Sequence, residues 1–322
     1  MTRHWGPTLA EQPDLANFSI TEAALTGFRV VRGHPKAVLG WAALQFVLTG
    51  GTLLALVALA GPAVNQLATH GLPTDDAALA ALMQQLVRSE PATLVLSLMI
   101  GSVLAAAMNR AVMNPQDDAL AYLRLGRDEL AQLGLKVILT LLWMAANLAL
   151  GAVAGGFATL ASTLGPVATN LAVFLVTLGA IGGLVYVSLR LSLASAATFA
   201  NGRVDLRTSW TITRGHLSSI LGAYCLALVL AALVFTLGIA IATLLTQALV
   251  SLIEPGGVWK PDFSSAVALI RPLPLTMVAL ISAAFGLATP LLSTPLAFIY
   301  QQMARPDGAR GQRAAPKNDV YV

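Results

Sequence analysis

Positions Leu217 to Ile253 read LSSILGAYCLALVLAALVFTLGIAIATLLTQALVSLI and contain no Asp, Glu, Lys, Arg or His. As one helix this run would be about 55 Å long at 1.5 Å per residue. The hydrocarbon core of a bilayer is about 30 Å thick. The run is therefore long enough to cross a membrane, and it must tilt strongly, break or project beyond the bilayer.

The rest of the 322-residue chain has the same character, with 57% hydrophobic and only 11% charged residues. Soluble domains carry about 25% charged residues, so an ordinary soluble globular protein is excluded. Helices satisfy every backbone polar group within one segment, which makes them the expected spanning structure. We predict an all-α, polytopic membrane helical bundle of six transmembrane helices. The predicted spans are 37–60, 92–112, 137–160, 170–189, 217–245 and 274–302.

The distribution of Lys and Arg between these spans predicts the orientation. Sixteen of the 19 fall on one side, whereas the other side holds only Arg88, Lys260 and Arg271. Because basic residues are retained in the cytoplasm, both termini are expected there, with the chain crossing a bacterial inner membrane several times. The net charge of +4 reflects this asymmetry and does not predict nucleic-acid binding. Trp41, Trp259 and Tyr300 are predicted interfacial anchors.

Short similar segments precede three of the spans. Arg32 to Gly40 reads RGHPKAVLG, Arg214 to Gly222 reads RGHLSSILG, and a degenerate copy, LGRDELAQLG, lies at 125–134. We predict three repeat units, each with an amphipathic helix, a glycine turn and a two-span hairpin. The units cover 18–113, 114–191 and 203–303 of a membrane domain at 18–303. The segment 1–17 is a predicted cytoplasmic N-terminal segment and 304–322 a predicted disordered basic tail.

Capping signals predict where the three amphipathic helices begin. Ser19 and Glu22 have the spacing of a capping box, in which each side chain accepts a bond from an unpaired backbone amide. The second helix is expected to begin at Asp117 or Asp118 and the third near Asp205. All three are predicted to lie flat on the inner leaflet.

The segment from Arg190 to Gly222, RLSLASAATFANGRVDLRTSWTITRGHLSSILG, carries a core of Ser209, Trp210, Thr213, Arg214 and Gly215. Together with the opening FSITEAALTGFRVVRGHP, it resembles the membrane domain of the bacterial glycerophosphodiester phosphodiesterase family and its stand-alone relatives. In members that hydrolyse glycerophosphodiesters, a separate soluble barrel performs the reaction. The resemblance implies a membrane module without that catalytic domain and of unassigned role.

The Arg-Gly-His turns are the predicted lipid-binding site, because cations at headgroup depth bind lipid phosphates. The alternative is that the side chains only extend to the membrane surface and that glycine makes the turn. Arg110 and Arg190, at the ends of spans two and four, have the same two interpretations. The predicted lipid-binding residues are Arg32, His34, Lys36, Trp210, Arg214 and His216.

The sixth span contains two prolines near its middle, which predict a kink and a cavity beside it. A simple kink without a cavity is the alternative. Transport is disfavoured because the predicted span interiors contain no acid or base. The residues of this candidate cavity are Thr289, Pro290, Ser293, Thr294 and Pro295.

Small residues at helix-packing spacing, Gly151 with Gly155 and Gly179 with Gly183, predict close helix contacts. Packing within the chain is favoured over a homodimer interface.

Catalytic signatures are missing from the sequence. Cys225 is the single cysteine, the four histidines are scattered, and there is no HExxH or GxSxG motif. We expect no enzyme activity, catalytic residue, metal or cofactor. The predicted function is a non-catalytic membrane module contacting anionic lipid or a protein partner. A transporter or channel for a small or lipidic solute, using the sixth span, is the alternative.

Overall fold

The computed structural model of the protein describes residues 18–257, 262–263 and 265–304. Within these residues the chain forms eleven α-helices and no strand. The segment 1–17, Trp259 and the tail beyond Ala304 lie outside the described residues. The helices are α1 (Ile20–Gly33), α2 (Pro35–His70), α3 (Asp76–Val87), α4 (Glu90–Met113), α5 (Arg127–Ser162), α6 (Pro166–Leu191), α7 (Ala194–Asn201), α8 (Leu206–Ile212), α9 (Leu217–Ile253), α10 (Ala266–Leu269) and α11 (Pro272–Met303).

Six helices in the described part of the chain are long and apolar enough to cross a membrane: α2, α4, α5, α6, α9 and α11. The predicted all-α bundle of six spanning helices is confirmed, and the chain is a multi-pass membrane protein. The long run at α9 forms one helix of 37 residues. A helical break falls instead in α2, at Ala60 (φ −138°, ψ 22°), two residues before Pro62. Proline removes a backbone donor and crowds the preceding turn, which accounts for the break.

The connections between these helices alternate between the two ends of the bundle. We call the end with α1, the 114–126 connection, α7 and α8 the basic face, and the end with α3 and α10 the opposite face. Among the described residues, Arg88 and Arg271 are the Lys and Arg side chains of the opposite face. The assignment of the basic face to the cytoplasm remains a prediction.

The predicted start of α1 is confirmed. Ser19 is the N-cap residue, and its side chain accepts a bond from the Glu22 amide. The Glu22 carboxylate pairs with Arg29 at 3.4 Å, and no bond from the Ser19 amide to it is found among the described residues, so the second bond of the predicted capping box is missing. Asp205 likewise caps α8, accepting a bond from the Thr208 amide at 2.9 Å.

The second amphipathic helix is not present, and that prediction is wrong. Leu120, Ala121 and Tyr122 have φ values of 50°, 60° and 62° and form a left-handed turn. Such residues cost about 1–2 kcal/mol each, so tertiary contacts must hold the turn. Trp41 donates from Nε1 to the Ala121 carbonyl at 3.0 Å. Trp41 is fully buried and Tyr300 is buried, so neither is the interfacial anchor predicted.

Helix α11 lies at the centre of the bundle, packed against α9, α2, α1 and α4. Its neighbours approach closely because small residues lie at the contacts. A Cβ atom at Gly27 of α1 would lie 2.5 Å from Leu291 Cα, and one at Gly286 would lie 2.8 Å from Ala42 Cβ. α1 therefore lies directly on the backbone of α11, which carries the prolines of the sixth span.

The three segments of the basic face each pack on helices that belong to a hairpin elsewhere in the chain. α1 packs on α9 and α11, the turn at 119–122 packs on α2 and α4, and α8 packs on α6 and α7. Each segment thus packs on helices of a predicted unit other than its own. The three-unit repeat itself remains a prediction.

The hairpin of α5 and α6 lies at the periphery. A Cβ atom at Gly151, Gly155, Gly179 or Gly183 would find no atom within 4 Å. These glycines are exposed, so the prediction that they pack helices together within the chain is wrong. Local spacing identified the small-residue pattern but could not tell which face of the helix meets a neighbour.

Candidate functional site

The first Arg-Gly-His turn joins α1 to α2. Arg32 and Lys36 are exposed, whereas His34 is half-buried. The His34 ring meets Tyr122 edge-on, with centroids 5.4 Å apart and planes at 77°. His34 therefore helps to hold the left-handed turn in place. Arg32 and Lys36 are the groups of this turn that reach the surface.

The second turn joins α8 to α9. Arg214 is exposed and His216, the N-cap residue of α9, is half-buried. Gly215 has φ +81°, a conformation that favours glycine. Ile20 at the start of α1 lies beside Gly222 of α9. Arg32 is twelve residues further along α1, about 18 Å from Ile20.

Trp210, predicted to bind lipid, locks α8 to the end of α6. The Ser209 hydroxyl donates to the Arg190 carbonyl at 2.8 Å. The Arg190 guanidinium lies 5.5 Å from the Trp210 ring and 5.2 Å from the Tyr186 ring. The Ser-Trp-x-x-Thr core thus has a structural role, and Arg190 is engaged inside the protein.

The N-cap of this helix also carries a shifted acid. Bonds from the Thr208 hydroxyl and amide to Asp205 hold the pKa of that carboxyl below its usual value. Asn201 also donates to Asp205, at 2.7 Å. The ionised carboxylate therefore ties α7 and α8 together.

A buried ion cluster joins α4 to α5, and the sequence did not predict it. Arg110 donates to Glu129 at 2.9 Å and to Asp128 at 3.2 Å. It also donates to the Tyr122 carbonyl at 2.5 Å. The Arg110 and Glu129 side chains are 4% and 5% exposed, so Arg110 cannot bind lipid. The sequence offered one signal for this cluster. Two adjacent acids, Asp128 and Glu129, lie in the first turn of α5, and the preceding span carries the basic residue Arg110 in its last turn.

Neutral polar groups extend this cluster to α7. Asn109 donates to the Ser195 hydroxyl at 2.9 Å, and Gln132 donates to the Ser195 carbonyl at 2.8 Å. The Ser195 hydroxyl donates in turn to Gln132 at 3.0 Å. These bonds fasten α7, an unpredicted helix, between α4 and α5.

The candidate cavity residues of the sixth span lie against α1. Pro290, Thr294 and Pro295 are buried, and Thr289 and Ser293 are half-buried. α11 continues as one helix through both prolines. Thr289 and Thr294 donate to carbonyls one turn earlier, at 2.7 Å each.

A cavity of about 1020 Å³ lies elsewhere, between α2, α4, α5 and α11. Val87, Glu90 and Phe263 mark its end towards the opposite face. Its walls are mainly apolar, with a few hydroxyl and amide groups among them. These polar wall residues are Gln45, Thr49, Thr52, Thr93, Ser97 and Thr140.

Comparisons with protein-family models, with curated proteins and with solved structures found no match. The likeness to the glycerophosphodiester phosphodiesterase membrane-domain family therefore remains a resemblance carried by the residues quoted above.

Proposed function

We propose that this multi-pass membrane protein is a non-catalytic module whose basic face contacts anionic lipid headgroups. The observation that carries the proposal is a set of exposed cations on that face. Within the described residues, their side chains form no hydrogen bond or ion pair. They are Arg32, Lys36, Arg127, Arg207 and Arg214.

Exposed leucines lie next to several of these cations. Leu39 follows Lys36 by three residues and is 72% exposed, while Leu125 and Leu130 flank Arg127 and are 88% and 68% exposed. Cations beside apolar side chains are typical of surfaces that lie in the headgroup region. The resemblance to a family membrane module supports the same non-catalytic role.

The test compares the two ends of the bundle. The variant Arg32→Gln/Lys36→Gln/Arg214→Gln is compared with Arg88→Gln/Arg271→Gln on the opposite face. Native mass spectrometry in mild detergent counts retained phosphatidylglycerol and phosphatidylethanolamine. At about 1 kcal/mol per cation near a charged membrane surface, the triple variant should bind phosphatidylglycerol about 100-fold more weakly. Equal retention by the wild type and the triple variant would reject the proposal.

The cavity favours a second candidate, a transporter or channel for a small or lipidic solute. Its volume is at the upper end of the roughly 300–1,000 Å³ typical of ligand sites. Residues of α11 that line it, Val278, Ile281 and Phe285, lie nearer the opposite face than the predicted proline residues. Uptake of candidate solutes into proteoliposomes containing the wild type or an Ile281→Trp variant would test this candidate. A solute flux that the added bulk leaves unchanged would reject it.

A further inference from the structure

Lys136 of α5 is half-buried, and its ammonium lies beside α4. The Arg110–Glu129 ion pair sets α4 and α5 side by side. Lys136 is seven residues beyond Glu129, about 10.5 Å further from the basic face. A Cβ atom at Gly101 of α4 would lie 3.1 Å from the Lys136 Nζ. Because Gly101 is eleven residues after Glu90 and twelve before Met113, the ammonium lies near the middle of α4.

The position of the ammonium shows that the Lys136 side chain does not extend towards water at the basic face. A lysine extending towards the basic face would place Nζ beside residues closer to Arg110. Gly101 lies nine residues, about 13.5 Å, from Arg110 along α4, whereas Lys136 lies about 10.5 Å from Glu129 along α5. Because Arg110 and Glu129 are paired, Nζ lies at least as far from the basic face as the Lys136 backbone does. The missing side chain at Gly101 provides the room for it.

Lys136 has no counter-ion in the described part of the chain. It forms no ion pair or hydrogen bond there, and Glu129, the nearest acid along α5, is held by Arg110. A charged side chain inside a membrane costs several kcal/mol unless it is paired. The structure therefore leaves one positive charge to be neutralised by something other than these residues.

This charge lies one helical turn beyond the end of the large cavity that is nearer the basic face. Ser97 of α4 and Thr140 of α5 line the cavity, and each is one helical turn from the Gly101–Lys136 contact. On the other wall, the close approach of Ala42 to Gly286 closes the space between α2 and α11. Gln45, three residues after Ala42, and Phe285, next to Gly286, line the cavity above that contact.

We propose that this cavity binds an anionic amphiphile with a single acyl chain, its acidic headgroup at Lys136. The ammonium would pair with a carboxylate or phosphate, and the chain would lie along Leu48, Leu94 and Ile281. A small inorganic anion would satisfy the charge but leave the apolar walls uncovered, whereas a neutral lipid would leave the charge unpaired. This site is separate from the headgroup contacts at the basic face and does not rest on them.

The test measures equilibrium binding of radiolabelled palmitate to the full chain in dodecyl maltoside, with empty micelles as background. Lys136→Met should weaken binding at least about tenfold, since a charge pair of 1.4 kcal/mol or more is lost. Lys136→Arg should keep binding within about threefold. Arg271→Met, which removes an exposed cation of the opposite face, should leave palmitate binding unchanged.

Competing ligands identify the headgroup. Displacement of palmitate by lysophosphatidate would extend the site to phosphates, and failure to displace it would restrict the site to carboxylates. Uncharged monopalmitoylglycerol should compete at least about tenfold more weakly than palmitate, by the same charge-pair argument. Equal competition by the neutral lipid, or equal palmitate affinity of the wild type and folded Lys136→Met, would overturn the proposal.

Thermal unfolding and phosphatidylglycerol retention of Lys136→Met serve as controls for the palmitate measurement. Lys136→Met should unfold at the same or a higher temperature, because it removes an unpaired, half-buried charge. If that variant does not fold, Gly101→Leu replaces it, since the new side chain occupies the position of the ammonium. Phosphatidylglycerol retention by Lys136→Met should equal that of the wild type, so failure here is distinct from failure of the headgroup proposal.

Discussion

Arg110 shows how one side chain can hold a region that its own local sequence does not define. It neutralises Glu129, contacts Asp128 and binds the Tyr122 carbonyl. These groups come from α5 and from the left-handed turn. Loss of Arg110 would leave a buried carboxylate uncompensated and a strained turn without one of its bonds.

Arg110→Met should therefore lower the free energy of unfolding by about 3–5 kcal/mol, the usual cost of removing one partner of a buried pair. Unfolding by dodecyl sulfate, followed by circular dichroism, measures the change. Arg110→Met/Glu129→Leu should lose less than the sum of the two single variants. Arg29→Met breaks an exposed pair with Glu22 and should change stability by less than about 1 kcal/mol. Equal effects of Arg29→Met and Arg110→Met would contradict this account.

The two Arg-Gly-His turns use their glycines differently. Gly215 has φ +81°, whereas Gly33 is the last helical residue of α1 and has open space around it. Gly215→Ala should lower the free energy of unfolding by about 1–2 kcal/mol because the alanine must adopt a left-handed conformation. Gly33→Ala should be neutral or slightly stabilising. The same denaturation measurement checks both, and equal losses would show that the turns are equivalent.

Among the helices, the close packing of α1 against α11 depends on Gly27. A Cβ atom there would lie 2.5 Å from Leu291 Cα and 3.0 Å from the Pro290 carbonyl oxygen. Backbone atoms cannot move aside cheaply, so α1 must shift as a whole. The contact joins the first amphipathic helix to the most central helix of the bundle.

Gly27→Ala should destabilise the protein by about 1–3 kcal/mol through overpacking, even though alanine favours helix formation. Limited proteolysis should also cut sooner within α1. Gly155→Ala is the matched control, because a Cβ atom there meets nothing within 4 Å. That control should gain up to about 1 kcal/mol from helix propensity. If Gly27→Ala were as stable and as resistant to protease as the control, α1 would not pack closely against the backbone of α11.

For the whole molecule, the two faces should lie on opposite sides of the membrane. In a Cys225→Ser background, Lys36→Cys and Arg88→Cys place one thiol on each face. An impermeant maleimide added to intact bacterial spheroplasts should label Arg88→Cys, and it should label Lys36→Cys only after lysis. The physical reason is retention of the more basic end in the cytoplasm. The reverse labelling pattern would invert the orientation, and labelling of both in intact cells would contradict it.

Local sequence determined the six spanning helices and the starts of α1 and α8. Continuous apolar runs such as 217–253 must leave water whatever surrounds them, because burying apolar surface is favourable in any orientation. Ser19 and Asp205 bond amides only three residues away, so capping needs no distant partner. The exposure of Arg32, Lys36 and Arg214 likewise follows from charges placed just outside apolar runs.

Tertiary structure alone decided the left-handed turn at 119–122, the Arg110–Glu129 pair and the place of Lys136. The helix expected to begin at Asp117 or Asp118 gave way at 119–122 to a turn that is held by Trp41 and Arg110, which lie in other helices. The glycines of α5 and α6 stayed exposed because none of the described helices packs on that face. Which side chains meet depends on how the helices are arranged, so the Lys136 ammonium lies within the bundle only because α4 places Gly101 beside it.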